Sequence, residues 1–266
     1  MKFNLTAKIF ILLLSTVILL TLAQTVTMHH YLMKGLNKIS LEEMKTKADA
    51  VDAMLKETAQ EVKGVTFLLS TRPDLIEAIR EKNSAKLLQI AKLAQRELAI
   101  EFVTIADASG IVLARGHSDK TGDSIKKQIN VQRAEEGLGT VGLEEGTAVK
   151  FSLRAGYPVR DGNTIIGTIT TGVNLSSSNA FVDKMKKDLG VECTFFFGDT
   201  RVATTLERGG KRIVGSRMDN PAVIETVLRQ GKHFLDINKI AGQEYNTAYW
   251  PIIGANGAIT GMVGAR

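Results

Sequence analysis

Nothing between Lys8 and His29 carries a formal charge, and the stretch opens Ile9-Phe10-Ile11-Leu12-Leu13-Leu14. A helix needs about 20 predominantly apolar residues to cross a hydrocarbon core roughly 30 Å thick, so residues 9–28 predict a membrane anchor. A buried helix of a soluble domain is ordinarily apolar on one face, whereas this stretch is apolar all round. Thr21-Leu22-Ala23 would serve as a signal-peptide cleavage site, but secretory apolar cores are shorter, about 7–15 residues. The uncleaved anchor is the better reading. Lys2 and Lys8 precede it, which predicts a short cytoplasmic tip with the remainder outside the membrane.

Of 266 residues, those beyond the anchor are enough for one large domain or two small ones. The net charge is +6, but Lys and Arg alternate with Asp and Glu along the helical segments. A nucleic-acid stripe would gather them on one face, so no nucleic-acid partner is expected. A positive balance outside a membrane favours anionic ligands weakly. Cys193 has no second cysteine to pair with, and in the run with Thr194 and Phe195 it reads as a small buried hydrophobe.

From Leu32 to about Leu69 the pattern is helical. Met44, Ala48, Val51, Leu55, Thr58, Val62, Val65 and Leu69 form a seam at steps of three and four, with charged residues outside it. This predicts a stalk helix roughly 50 Å long, packing through its seam against a second subunit. Thr71 to Asp74 starts a short helix to Arg80, and Asn83-Ser84 starts another to about Leu98. After Ile100 the period becomes two. Strands are expected at Phe102–Ala106 and Ile111–Arg115, a polar helix from Gly122-Asp123-Ser124 to near Gly137, then strands at Thr147–Arg160 and Thr164–Val173. Ser176-Ser177-Ser178 reads as the cap of a connecting helix that Gly190 stops.

The scheme then recurs. Residues 194–204 mirror the first hairpin, Gly215 stands for Gly122, Trp250-Pro251-Ile252 for Tyr157-Pro158-Val159, and Gly261 for Gly167. The fold class is therefore α+β: two copies of one hairpin–helix–hairpin unit with antiparallel sheets. Arg266 falls where Gly172 falls in the first copy. The expectation is an extracytoplasmic fragment of a longer polypeptide, or a protein that lost its output half.

Gly137-Leu138-Gly139-Thr140-Val141-Gly142 matches a dinucleotide-binding fingerprint in letters, but it follows a helix and opens none, so it reads as a glycine loop leading to a strand. No phosphate-binding loop, paired-cysteine spacing or nucleophile elbow is present, and no cofactor or enzymatic activity is expected. His117 with Asp119 and Asp123 is a weak metal set, so no metal is expected. The candidate binding residues are cationic. Alternation puts Lys150, Ser152 and Arg154 on one sheet face, and Arg115 and His117 end the neighbouring strand. Such a set would be costly buried unpaired, yet favourable around a small carboxylate, which Arg grips with two parallel bonds. Tyr157 is expected to offer its hydroxyl to the same space. The competing reading leaves Arg154 and Lys150 on an exposed face. At the matching places the second copy has Thr204 and Thr247 and no comparable cationic set, so the first copy is the expected binder.

On Asp107-Ala108-Ser109-Gly110 with Leu113-Ala114-Arg115, Gly122-Asp123, Tyr157-Pro158-Val159 with Gly167, and their second-copy counterparts, the chain resembles the double Cache extracytoplasmic sensors of bacterial methyl-accepting chemotaxis proteins. The resemblance covers about Tyr31 to Arg266. It implies two stacked PAS-like modules beside a long N-terminal helix, with ligand in the membrane-distal, first module. It carries Arg115, His117, Arg154 and Tyr157 into the ligand role by position. The Tyr, Arg, Trp and Asp pattern of amino-acid-binding relatives finds no place here, which favours simple organic acids. The expected organisation is a tip and transmembrane anchor at 1–30, a stalk and short helices at 31–100, a membrane-distal module at 101–190 and a membrane-proximal module at 191–266. The expected protein is a chemoreceptor sensor in the bacterial inner membrane, facing the periplasm, homodimeric through its stalk and signalling by helix displacement. A histidine kinase or diguanylate cyclase bearing the same sensor, or a periplasmic protein-interaction module, is the alternative.

Overall fold

The computed structural model describes residues 5–98, 100–175, 179–240 and 242–266. Lys2 and the Ser176-Ser177-Ser178 cap lie outside the described residues. The first helix, α1 (Leu5–Ser70), runs through two units of the chain, residues 1–43 and 44–266. In the first unit the apolar residues from Ile9 to Met28 are all exposed, and the helix there is long and apolar enough to cross a membrane.

The second unit continues with α2 (Pro73–Arg80) and α3 (Ser84–Glu97). Pro73 sits in the first turn of α2, where its missing N–H costs nothing. The Asn83 side chain caps α3 by accepting from Lys86 N. Then come β1 (Phe102–Asp107), β2 (Val112–Arg115), α4 (Ile129–Glu135), β3 (Thr140–Glu145), β4 (Phe151–Asp161) and β5 (Thr164–Asn174). A connecting helix, α5 (Ala180–Leu189), ends at Gly190 in the left-handed conformation. The repeat follows as β6 (Cys193–Phe197), β7 (Thr200–Thr204), the short pair β8 (Glu207–Arg208) and β9 (Lys211–Arg212), and α6 (Pro221–Val223), which runs on as π-helical turns over Ile224–Arg229. It closes with β10 (Phe234–Ile240), β11 (Gln243–Ile253) and β12 (Ile259–Ala265).

The two main sheets have one topology, β2-β1-β5-β4-β3 and β7-β6-β12-β11-β10, antiparallel throughout. The α+β fold read from the repeat is therefore present as two five-stranded modules. Two expected boundaries differ. Residues 122–128 are not helical, because Ile111 bridges Ser124 and Gly122 donates to Val112 O, which leaves only the short α4. The strand expected from Thr147 starts at Phe151, after a turn at Gly146–Lys150, and a further strand, β3 from Thr140, precedes that turn.

Each sheet buries both faces. On one face of the first sheet, α1, α2 and α3 pack through Leu69, Leu75, Leu87 and Ile90 onto Val103, Ile105, Val159 and Ile169. The seam of α1 is also accounted for. Met44, Ala48, Val51 and Val62 join a core that includes Leu153, Val173, Phe195 and Trp250 from both modules. Those residues, expected to meet a second subunit, meet the chain's own sheets, because two modules provide enough apolar surface to cover the stripe.

The modules also touch backbone to backbone. A Cβ on Gly142 would stand 2.8 Å from Ala255 N, in the turn before β12. Gly142→Ala should therefore lose about 1–3 kcal/mol, the usual cost of overpacking. Gly64→Ala, in open space inside α1, should gain about 0.5–1 kcal/mol. Thermal unfolding of the two variants checks the contrast, and an undiminished midpoint for Gly142→Ala would mean that the backbones do not meet.

Candidate functional site

The face of the first sheet opposite α1 carries the polar residues. Along β4, Leu153, Ala155 and Val159 face the helices, so Ser152, Arg154 and Gly156 face α4. Arg154 pairs with Gly142 of β3 on one side and with Gly172 of β5 on the other, and Gly172 in turn pairs with Phe102 of β1. A side chain on Gly172 would strike the Phe102 ring at 2.7 Å. Without one, the Arg154 guanidinium lies over that ring, 5.0 Å from its centroid. Gly146 is held to glycine for a related reason, as its Cβ would stand 2.2 Å from Arg154 Nη2.

Arg154 is 4% exposed. Its Nε donates to Ser152 Oγ at 3.0 Å, its Nη2 to the Val149 carbonyl at 3.1 Å and its Nη1 to Gln128 Oε1. All three acceptors are neutral. Burial pulls its pKa down to about 10, which leaves it charged at neutral pH. Arg115, 2% exposed, differs: Asp123 grips it with two bonds of 2.6 and 3.0 Å, and Thr147 Oγ1 and the Lys120 carbonyl accept from it as well. The hydrogen bonds from Arg115 bring the Asp123 carboxyl down to about 2. Asp123 is thus the counter-ion of Arg115 in this structure.

His117 approaches the Val103 carbonyl through Nδ1 at 3.2 Å, with its ring edge-on to Phe102 at 5.6 Å. Burial first, and the charge of Arg115 second, push its pKa down to about 4, so it is neutral at pH 7. With Nδ1–H donating to the carbonyl, Nε2 is an acceptor. His117 therefore adds no positive charge to the set.

Of the residues singled out from sequence, the structure brings Arg115, His117 and Arg154 around one cavity of about 10 Å³, with Phe102, Thr104 and Gln128 among its walls, and Ser152 braces Arg154 beside it. Lys150 is apart, because β4 begins at Phe151. It is exposed and lines an outer cleft of about 480 Å³ with Lys127, Gln128, Glu144 and Thr147. Tyr157 is on the opposite face, with its ring 5.5 Å from Phe67 of α1 and against Gly139. Strand parity separates it from Arg154, so its hydroxyl does not reach the cavity. Gln128 and Thr147, which wall both the cavity and the cleft, were not singled out from sequence.

Glu144 was also missed. It is 4% exposed on β3, its Oε2 accepts from Asn130 N at the start of α4 at 3.2 Å, and its Oε1 has no partner among the described residues. Burial raises its pKa to about 7. In the second module Thr204 and Thr247 occupy the places of Arg115 and Arg154, bonded to Thr194 Oγ1 and the Asp236 carbonyl. The matching places thus hold threonines, as the sequence indicates, and a buried cation, Arg201, stands at a different place in this copy. It lies over Phe196 at 5.0 Å, from a register position that Val112 holds in the first copy.

Two family models, each described as a single Cache domain 3, match in succession, one over residues 50–187 and one over residues 171–265. No curated protein matches the sequence. Among solved structures, the sensor domain of the Vibrio cholerae histidine kinase DctB superposes with a TM-score of 0.61 at 11% identity, over 86% of this chain and 97% of that one. A structure named methyl-accepting chemotaxis protein X gives 0.59 at 13% identity, over 86% and 97%. The ligand-binding domain of the Campylobacter jejuni chemoreceptor Tlp3, in complex with L-valine, gives 0.55 at 13% identity, over 88% and 94%. At these identities the likeness is one of fold.

The raised pKa of Glu144 has a measurable consequence. The folded state binds this proton more tightly than the unfolded chain, so stability falls as pH rises from about 4.5 to about 7. Glu144→Gln should remove that slope. Relative to the parent, its unfolding midpoint should gain more at about pH 8 than at about pH 4, and an equal difference at both would contradict the buried carboxyl. His117 titrates in the opposite sense in both proteins and cancels from the comparison.

Proposed function

Since the chain belongs to the single Cache domain 3 family, whose domains are ligand-binding modules, we propose that it is the sensing region of a bacterial transmembrane chemoreceptor and that Arg154 receives the carboxylate of a small organic acid. The observation that carries this reading is the state of Arg154: a buried, charged guanidinium whose hydrogen-bond partners are all neutral, with Glu144 attracting it through space without bonding to it. A carboxylate in place of Gln128 on Nη1 would add a counter-charge, turning an ion–amide contact into an ion pair that a guanidinium can grip with two parallel bonds. Arg115 has a different part, since Asp123 already neutralises it. It fixes the 116–124 loop through Asp123 and the Lys120 carbonyl. The outer cleft, lined by Lys127 and Lys150 beside Glu144 and Glu145, leads to Gln128 and Thr147, which must move aside, because about 10 Å³ admits one water-sized occupant.

That movement has a route onward. Gln128 is the residue before α4, Asn130 of α4 is held by Glu144 of β3, and Gly142 of β3 abuts the turn before β12. Ligand binding can shift the receptor only by its difference in affinity between two such arrangements, and an element shift of about 1–2 Å is the scale seen at other interfaces. Tyr157 in this arrangement links the sheet to α1 through Phe67. The proposed receptor is anchored in the inner membrane with its modules in the periplasm, the 101–190 module distal and the 191–266 module proximal. It is a homodimer through the outward face of α1, where Phe67 and Leu68 are exposed. The L-valine complex of the Campylobacter jejuni neighbour supports a carboxylate-bearing ligand on this fold. A second reading keeps the sensor and changes the output, as the Vibrio cholerae neighbour is a histidine kinase sensor.

Titration calorimetry of the chain against acetate, lactate and succinate tests the proposal. At least one acid should bind, and Arg154→Ala should weaken it by about 30-fold or more, the lower end for losing one partner of a buried charge pair. Binding unchanged in Arg154→Ala, or no binding by the parent, overturns the site.

A further inference from the structure

The second module buries a cation that the first module's site leaves unexplained. Arg201, on β7, is 6% exposed, and burial lowers its pKa. Its Nη1 donates to Ser216 Oγ at 3.1 Å and to the Arg217 carbonyl at 2.7 Å, both neutral, and its Nε has no acceptor among the described residues. Asp219 attracts it through space without bonding to it. Tyr249, 4% exposed, packs against the same Phe196 ring at 6.4 Å. Its hydroxyl oxygen accepts from Asn238 Nδ2 at 3.2 Å, and no acceptor among the described residues takes its proton. Burial raises the Tyr249 pKa, so that proton stays in place at neutral pH.

Arg201 and Tyr249 line one cavity of about 10 Å³, room for a single water-sized occupant. Two buried donors thus border one small space beside a charge that no contacting carboxylate neutralises. Arg266 lines the same cavity, stacked on Tyr245 at 3.9 Å; Glu192, a carboxylate on its wall, is engaged by Lys186 through Oε1 at 2.7 Å, while its buried Oε2 has no hydrogen-bond partner among the described residues. A water molecule would satisfy the donors and leave the guanidinium charge uncompensated, whereas an anion answers both. We propose that this cavity is a binding site for one small inorganic anion of halide size, accepting from Arg201 Nε and Tyr249 Oη, and that the anion stabilises the second module. The site is separate from the carboxylate site proposed at Arg154.

Two measurements on the full chain test it. Thermal unfolding in sodium chloride should lie a few degrees above that in sodium methanesulfonate at equal ionic strength. Tyr249→Phe and Arg201→Met should lose that difference, and Arg154→Met should keep it. Crystals grown with sodium bromide should show an anomalous peak within hydrogen-bonding distance of Arg201 Nε. Equal midpoints in the two salts, or an ordered water without anomalous signal at that position, would overturn the proposal. Should Arg201→Met not fold, Tyr249→Phe and the bromide peak still decide it.

Discussion

A guanidinium in the middle of a buried sheet face places demands on everything around it. Arg154 keeps its charge at 4% exposure, and burying such a group without compensation costs several kcal/mol. The surroundings of β4 follow from that cost. Glycines flank Arg154 on both neighbouring strands, the Phe102 ring lies beneath it, Ser152 braces its Nε, and Gly146 leaves room for its Nη atoms. Asp123 could have answered this charge but is committed to Arg115. The result is a pair of arginines in different states, one ion-paired with Asp123 and one hydrogen-bonded to neutral groups, with Glu144 acting on it only through space.

The duplication explains why one module can do this and the other does something else. Both sheets have the same strand order, and each buries one face against helices and the other beneath a short helical segment. On that second face the first module presents Arg115 and Arg154, whereas threonines stand at those places in the second module and Arg201 enters from another register position. The core is shared: Leu153, Phe195 and Trp250 pack with Met44 and Val51 of α1. The first module is thus joined to the second module and to α1 by packed contacts, with Gly142 close against Ala255 among them.

Much of this was legible in the sequence, for identifiable reasons. The long apolar helix is visible because charge is absent from a long stretch, and the two modules because turn glycines and Tyr/Trp-Pro pairs recur in the same order. Arg115, His117 and Arg154 could be grouped because they end or alternate along strands. Tyr157 was misplaced by ignoring the same alternation, since an odd step along β4 carries a side chain to the other face. Lys150 was misplaced because the start of β4 is set by a turn at Gly146 that has no strong local signal. Gln128, Thr147 and Glu144 act through contacts with elements distant in sequence, which no local pattern announces. The α1 seam was read correctly as apolar and wrongly as intermolecular, because periodicity shows that a stripe is covered and not by what.

The central claim is that the unneutralised arginine of the first module is the acceptor of an anionic ligand. Its most direct test is a crystal structure of the chain with a bound organic acid. The account predicts a carboxylate oxygen within hydrogen-bonding distance of Arg154 Nη1, Gln128 turned away, and Asp123 still on Arg115. A carboxylate held elsewhere, with Gln128 still on Arg154, would contradict it.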